Sequence, residues 1–240
     1  MGTKSLPHTQ PNLAPIANLI GEPTRAAMLS ELLDGGVLTA TELAARAGVA
    51  PSTASEHLAR LAAGGLLRVE AWGRHRYYGL AGPEVARALE ALAALSRPSA
   101  CADPFEREVL DGLRFGRTCY DHLAGRLGVT VRDALIARGV LVEDGPEHAV
   151  TPVGEAWLAG FGIELPAVRR TRRSFARACL DWSERRPHLA GALGAALLDR
   201  LVALGWIVRE PGERAVSLTQ AGRLGLARDL NLDLPPTPGP

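Results

Sequence analysis

Residues 39–69 read TATELAARAGVAPSTASEHLARLAAGGLLRV, and this stretch decides the fold. TELAARAGV has the pattern of a short helix that stops at Gly48. PSTASEHLAR opens a second helix, capped near Ser52 and stopped at Gly64-Gly65. A small hydroxyl side chain satisfies free N–H groups where a helix starts, and glycine accepts the left-handed turn where one ends. Leu58 and Leu61 stand at i and i+3 and face inward. That leaves Ser52, Thr53, Ser55, His57 and Arg60 for the outer side of the second helix, a set of small donors, one donor-acceptor ring and one guanidinium.

Working outward, LLRVEAW and RYYGL are β-prone and flank Gly73, which predicts a hairpin with Arg74, His75 and Arg76 at its tip. Upstream, Leu13, Ile16, Ala17 and Ile20 recur at helical spacing, and a further helix follows Glu22-Pro23-Thr24. Downstream, PEVARALEALAALS is a fifth helix and RPSACAD a linker. Two helices joined by a tight turn and followed by a hairpin make a winged helix-turn-helix. GEPTRAAMLSELL, the quoted stretch and WGRHRYYGLAG agree in order and spacing. Together they resemble the ArsR/SmtB class of bacterial repressors over residues 12–97.

The resemblance implies DNA reading by the second helix of the pair, and a homodimer built from the first and fifth helices. Stripes of Leu13, Ile16 and Ile20 and of Val85, Leu89 and Leu92 fit that dimer, and would equally fit an internal core. Arg25 stands where the family has a basic residue; a salt bridge at the surface or at the dimer contact is the other reading. The family's metal positions are not filled here. The helix before the reading helix has no cysteine, and the fifth helix has no histidine.

The second half repeats a word. HLAG occurs at His122–Gly125 and again at His188–Gly191, and longer segments align around both copies. LAGRLGVTVRDALIARGVLV has the shape of the quoted stretch: short helix, Gly-Val turn, second helix, apolar strand. The expectation is therefore a mainly α protein with small β wings. Its N-terminal winged helix-turn-helix would occupy residues 12–97 and a linker residues 98–104. A C-terminal domain over 105–234 would hold two tandem winged-helix-like repeat units, about 118–164 and 184–230. The second helices of these units are apolar and carry Asp133 or Asp199, and acid is unfavourable beside phosphates, so packing and sensing is the expected role.

Cys119 and His122 stand at i and i+3, and Cys179, Asp181 and His188 lie just ahead of the second copy. If the repeats pair about a pseudo-symmetric core, the thiols and imidazoles meet, a donor set that suits a tetrahedral soft or borderline metal. Ordinary core packing of two cysteines is the competing reading. RRTRRSFARACLDWSERR reads as a strongly basic helix, and Arg117 and Arg177 are placed to favour thiolates. A metal, an oxidant or a persulfide acting at these thiols is the expected trigger, and a small organic ligand in an apolar cleft between the domains, involving Trp182, Trp206 and Phe161, is the rival.

Composition restricts the rest. Twenty-seven basic residues against 26 acidic give a net charge of +1, and Lys4 is the only lysine. Three cysteines do not make a disulfide scaffold. No apolar run reaches the ~20 residues of a membrane span, and the N-terminus lacks an apolar signal core, so a cytoplasmic protein is expected. No phosphate-binding glycine loop, nucleophile elbow or metal-hydrolase motif supports an enzyme. The expected function is a dimeric, sequence-specific regulator of a double-stranded operator, a repressor released by an effector acting on the C-terminal half. No cofactor is required, though a metal at the Cys/His residues is compatible. A winged-helix protein–protein interaction module without operator binding is the alternative.

Overall fold

The structure is a computed structural model that describes residues 11–96, 104–209 and 213–237. It divides into two units. The first holds the described residues up to Leu32 together with Val37–Gly82, and the second holds Leu33–Gly36 and the described residues from Pro83 onward.

In the first unit α1 (Ala14–Ile20), α2 (Pro23–Glu31), α3 (Ala40–Arg46) and α4 (Pro51–Ala63) precede a wing of β2 (Leu67–Trp72) and β3 (His75–Leu80). A short β1 (Leu38–Thr39) adds to β3, giving the order β1-β3-β2. Thr39 caps α3 in a reciprocal capping box, its side chain on the Glu42 N–H and the Glu42 carboxylate on the Thr39 N–H. The start of α4 differs from expectation. Its cap is Ala50, with no side-chain hydrogen bond; Pro51 follows at the first helical position, where its missing N–H costs nothing. Ser52 therefore sits inside the helix with its hydroxyl uncommitted to capping. Ala54, Leu58 and Leu61 close over Met28, Leu29, Leu32 and Leu43 as the core. Trp72 pairs with His75 across a two-residue turn whose Gly73 has φ 62°, the left-handed region glycine enters without strain.

Arg25 is buried in this unit, not displayed on its surface. Its Nε and Nη2 donate to the carbonyls of Leu19 and Asn18, both at 2.7 Å, and so tie off the last turn of α1.

The second unit begins with α5 (Pro83–Leu95), although its place in the chain suggests that it belongs with the wing. Glu90 of α5 is 1 % exposed and pairs with Arg117 and Arg214. These buried contacts tie α5 to the C-terminal half of the chain. Most of the expected linker, residues 98–103, lies outside the described residues, and residue 104 opens α6 (Pro104–Phe115).

Next come β4 (Arg117–Cys119), β5 (His122–Ala124), α7 (Gly125–Ala137), β6 (Leu141–Asp144), β7 (Glu147–Val150) and α8 (Pro152–Gly160). After α9 (Leu165–Arg169) the same order returns: β8 (Arg177–Leu180), β9 (Pro187–Ala190), α10 (Gly191–Ala203), β10 (Ile207–Arg209), β11 (Val216–Leu218) and α11 (Gln220–Leu230). The hairpin β6-β7 joins β8-β9 in one four-stranded antiparallel sheet through the pair Glu147–Arg177. One apolar core runs through the unit, from Phe115, Leu127, Leu135 and Leu158 to Leu193, Leu197, Leu201 and Leu226.

Here the helix-turn-helix reading of the repeated segments is corrected. His122–Ala124 and His188–Ala190 are strand, and each following helix is continuous for 13 residues. The glycine read as a turn lies within the helix. A Cβ on Gly128 would collide with the Leu123 carbonyl oxygen, and one on Gly194 would stand 2.5 Å from that of Leu189. These glycines serve close packing of helix on hairpin rather than chain reversal. The closing helices do start where expected, with Thr151 and Thr219 capping α8 and α11 on the N–H of Gly154 and Gly222.

One further expectation changes. The basic run is not one helix: α9 ends at Arg169, Arg177 opens β8, and Arg185 at φ 56° forms the turn before β9. The C-terminal tail is docked in its described part, where Leu234 is buried and Thr237 accepts from the Leu218 N–H at 2.7 Å.

Candidate functional site

The first unit presents one polar helix face. Ser52, Thr53, Ser55 and Arg60 are exposed on α4, opposite the buried Ala54, Leu58 and Leu61. Ser55 donates to the Pro51 carbonyl and Arg60 pairs with Glu56 one turn back, both surface contacts that solvent or a ligand can replace. His57 is half-buried; its Nδ1 faces Glu22 and Arg25 at 3.4 Å, which leaves the far edge of the ring toward solvent. On the wing Arg74, His75 and Arg76 are all exposed. Beside them Trp72, packed on Tyr77 with ring centroids 5.4 Å apart, is exposed as well. Trp72 was not singled out in the sequence, although its place before Gly73 at the hairpin tip was a usable signal.

The second unit holds a different site. Cys119 and His122 are not on a helix; they are the last cross-strand pair of the β4-β5 hairpin, either side of a turn where Tyr120 takes φ 62°. Cys179 and His188 are likewise directly opposed across β8-β9, one pair before its end. Directly opposed residues of an antiparallel pair point to one face of the sheet. Each hairpin therefore offers one thiol and one imidazole together. The two faces meet, all four residues are buried, and their four ligating atoms lie within 4.8 Å of one another. The two Nε2 atoms are 3.2 Å apart.

Each ring is held from behind. His122 Nδ1 lies 3.1 Å from Asp121 Oδ1, and Arg173 clamps Asp121 with both Nη atoms. His188 Nδ1 lies 3.1 Å from Asp181 Oδ2, an ion-pair distance off the line of an ideal hydrogen bond. Asp181 is not a fifth member of the cluster. Its Oδ2 also accepts from the Gly125 N–H at 2.7 Å and Arg117 Nη2 at 3.1 Å, and its Oδ1 takes Ser183 and Glu184. Arg117 does not face Cys119: it reaches Asp181 and Glu90, with its guanidinium 4.6 Å from the Trp182 ring.

The electrostatics follow from this arrangement. Burial alone would raise the Asp121 carboxyl, but hydrogen bonds from His122 and Arg173 outweigh it and hold it at about 2. Burial likewise opposes the Asp181 carboxylate, and His188, Arg117 and Ser183 hold it well below the usual range. A hydrogen bond from Cys119, then those from His122 and His188, favour the thiolate of Cys179; Cys119, as the donor and fully buried, is raised. Burial disfavours the His188 imidazolium, and Asp181 and then Cys179 outweigh it.

A cleft of about 260 Å³ lined by Arg87, Cys119, Asp121, His122, Arg173 and Arg177 reaches the cluster. The three aromatic residues expected at an apolar cleft are engaged in other contacts. Phe161 and Trp206 pack in the core with ring centroids 5.5 Å apart, while Trp182 covers Arg117.

The exposed helix and basic wing on a three-helix core define a winged helix-turn-helix DNA-binding protein. Comparison with known proteins agrees. Residues 20–70 match the family described as a helix-turn-helix domain. An uncharacterized HTH-type transcriptional regulator of Bacillus subtilis (strain 168), YdfF, is 42 % identical over 224 residues, 93 % of this chain and 99 % of that protein. The solved homodimeric winged helix-turn-helix DNA-binding domain of a "possible ArsR-family transcriptional regulator" from Mycobacterium bovis is 27 % identical; the match covers 40 % of this chain and 89 % of that one, with a TM-score of 0.35. The cadmium metal-sensor CMTR from Mycobacterium tuberculosis is 34 % identical over 38 % of this chain and 99 % of its own, with a TM-score of 0.31. The chain belongs to the HTH-type transcriptional regulators. No helix among the described residues is long and apolar enough to cross a membrane.

Proposed function

We propose that the protein is a dimeric, sequence-specific operator-binding repressor, released when an effector acts on the second unit. The observation that carries the reading is the α4 face. Ser52, Thr53 and Ser55 crowd its N-terminal end, where a reading helix meets base edges, and Arg74, His75 and Arg76 extend from the wing toward backbone phosphates. The dimer is supported by unpartnered apolar surface. Helix α1 buries none of its residues and leaves Leu13 before it and Ile16 within it exposed, and α5 exposes Leu92 and Leu95. The second unit reads as a duplicated ββαββα module, with Gly125 and Gly191, Gly128 and Gly194, and Thr151 and Thr219 in matching places.

The test is a footprint on an inverted repeat with half-site centres about 34 Å apart, read alongside the oligomeric state. Ser55→Ala and His57→Ala lower discrimination between operator and random DNA. Arg76→Ala weakens both alike and lowers the slope of log affinity against log salt by about one. A monomer at micromolar concentration with no footprint refutes the proposal and favours a protein–protein module.

A further inference from the structure

We propose that Cys119, His122, Cys179 and His188 form a tetrahedral site for a divalent, thiolate-seeking metal ion of the zinc or cadmium class, one ion per chain. The two hairpins supply two sulfurs and two nitrogens, and nothing else is needed to complete four-coordination. Metal–nitrogen bonds of about 2.0–2.1 Å at the tetrahedral angle put two imidazole nitrogens about 3.3–3.4 Å apart; the two Nε2 atoms stand at 3.2 Å.

The outer contacts say which way the rings serve. Asp121 and Asp181 face the two Nδ1 atoms, so with an ion bound each Nδ1 keeps the proton and each Nε2 turns a lone pair inward. Two such lone pairs facing each other repel unless a cation lies between them. A shared proton meets that need alone; an ion meets it for the nitrogens and the two sulfurs together. Thiolate donors exclude magnesium, calcium and manganese. Charge selects the oxidation state. Two thiolates and a divalent ion sum to zero, and the surrounding charges are already paired as Asp121 with Arg173, Asp181 with Arg117 and Glu90 with Arg214. A monovalent ion would leave a net buried charge, which is costly. The cleft at Cys119 and His122 provides the route in.

The site is wired to α5. His188 meets Asp181, Asp181 meets Arg117, and Arg117 meets Glu90 on the helix that comes after the wing in the chain. On the operator-binding reading, on which this step rests, loading the site is the release signal, passed to α5 through Asp181, Arg117 and Glu90.

The experiment uses the reduced, full-length protein, stripped by chelator and titrated with Zn²⁺, Cd²⁺ or Co²⁺. Expected is one equivalent per chain. Co²⁺ should show the intense d–d bands of tetrahedral geometry and a sulfur-to-metal charge-transfer band. Asp121→Asn, a positioning residue outside the ligand set, lowers zinc affinity about 10–100-fold while leaving stoichiometry and the tetrahedral spectrum in place. Cys119→Ser with Cys179→Ser removes the charge-transfer band. The proposal is overturned if the folded wild type takes up no stoichiometric ion, if its Co²⁺ spectrum lacks thiolate ligation, or if uptake survives the double variant. It is also overturned if mild oxidation joins Cys119 to Cys179 in a protein that binds no metal. Operator release is read separately. Stoichiometric uptake without release keeps the site and removes its regulatory role, and absence of operator binding in either state refutes the functional reading alone.

Discussion

Asp181→Asn is the sharpest test of how the second unit is held together. The side chain is fully buried and both oxygens are committed. Oδ2 takes the Gly125 N–H at 2.7 Å, Arg117 Nη2 at 3.1 Å and His188 Nδ1 at 3.1 Å. Oδ1 takes the Ser183 N–H at 2.9 Å, its hydroxyl at 2.7 Å and the Glu184 N–H at 3.1 Å. An asparagine of the same shape keeps one of these oxygens. With its oxygen at the Oδ2 place, the NH₂ faces two backbone donors and only the Ser183 hydroxyl can turn to accept. Two orphaned N–H groups cost about 1–3 kcal/mol each, and Arg117 keeps only Glu90 as a charged partner. The total agrees with the roughly 3–5 kcal/mol typical of breaking a buried ion pair. For a unit of this size that lowers the melting midpoint by roughly 6–20 °C. The assay is urea and thermal unfolding in a Trp72→Phe background, so that Trp157, Trp182 and Trp206 of the second unit report. Asp229→Asn, at the exposed Arg228 pair, is the control and costs about 0–1 kcal/mol. An Asp181→Asn loss below about 1 kcal/mol refutes the argument that this carboxylate is the hub of the unit.

Gly128→Ala and Gly194→Ala each drive a Cβ against a strand carbonyl and destabilise by about 1–3 kcal/mol despite the helix propensity gained; equilibrium unfolding checks both. Gly160→Ala, at the end of α8 with open space around the added carbon, stabilises by about 0.4–1 kcal/mol in the same assay. Thr39→Ala opens the α3 capping box and costs about 1 kcal/mol, read as a lower denaturation midpoint of the first unit by Trp72 fluorescence.

What could be read in the chain and what could not divides by range. The sequence alone was sufficient for the winged helix-turn-helix, because its signals are local: the Gly48 turn, the apolar Leu58 and Leu61 against polar neighbours, and β-prone runs around Gly73. It also showed, through the two HLAG copies, that His122 has a counterpart in His188; the match of Cys119 with Cys179 came from hairpin register. It misassigned the local form of those copies, since a glycine inside a helix and a glycine at a turn look alike in sequence. Only the packing distances at Gly128 and Gly194 separate them. The spacing Cys119–His122 is equally compatible with one helical turn and with a hairpin pair, and strand register chose the hairpin. Arg173 meeting Asp121, 52 residues away, and Arg117 meeting Asp181, 64 away, follow from no periodicity at all. Those contacts exist because the folded core brings two hairpins face to face. Charges buried there hold only where a partner from a distant part of the chain meets them, so tertiary structure decided the site.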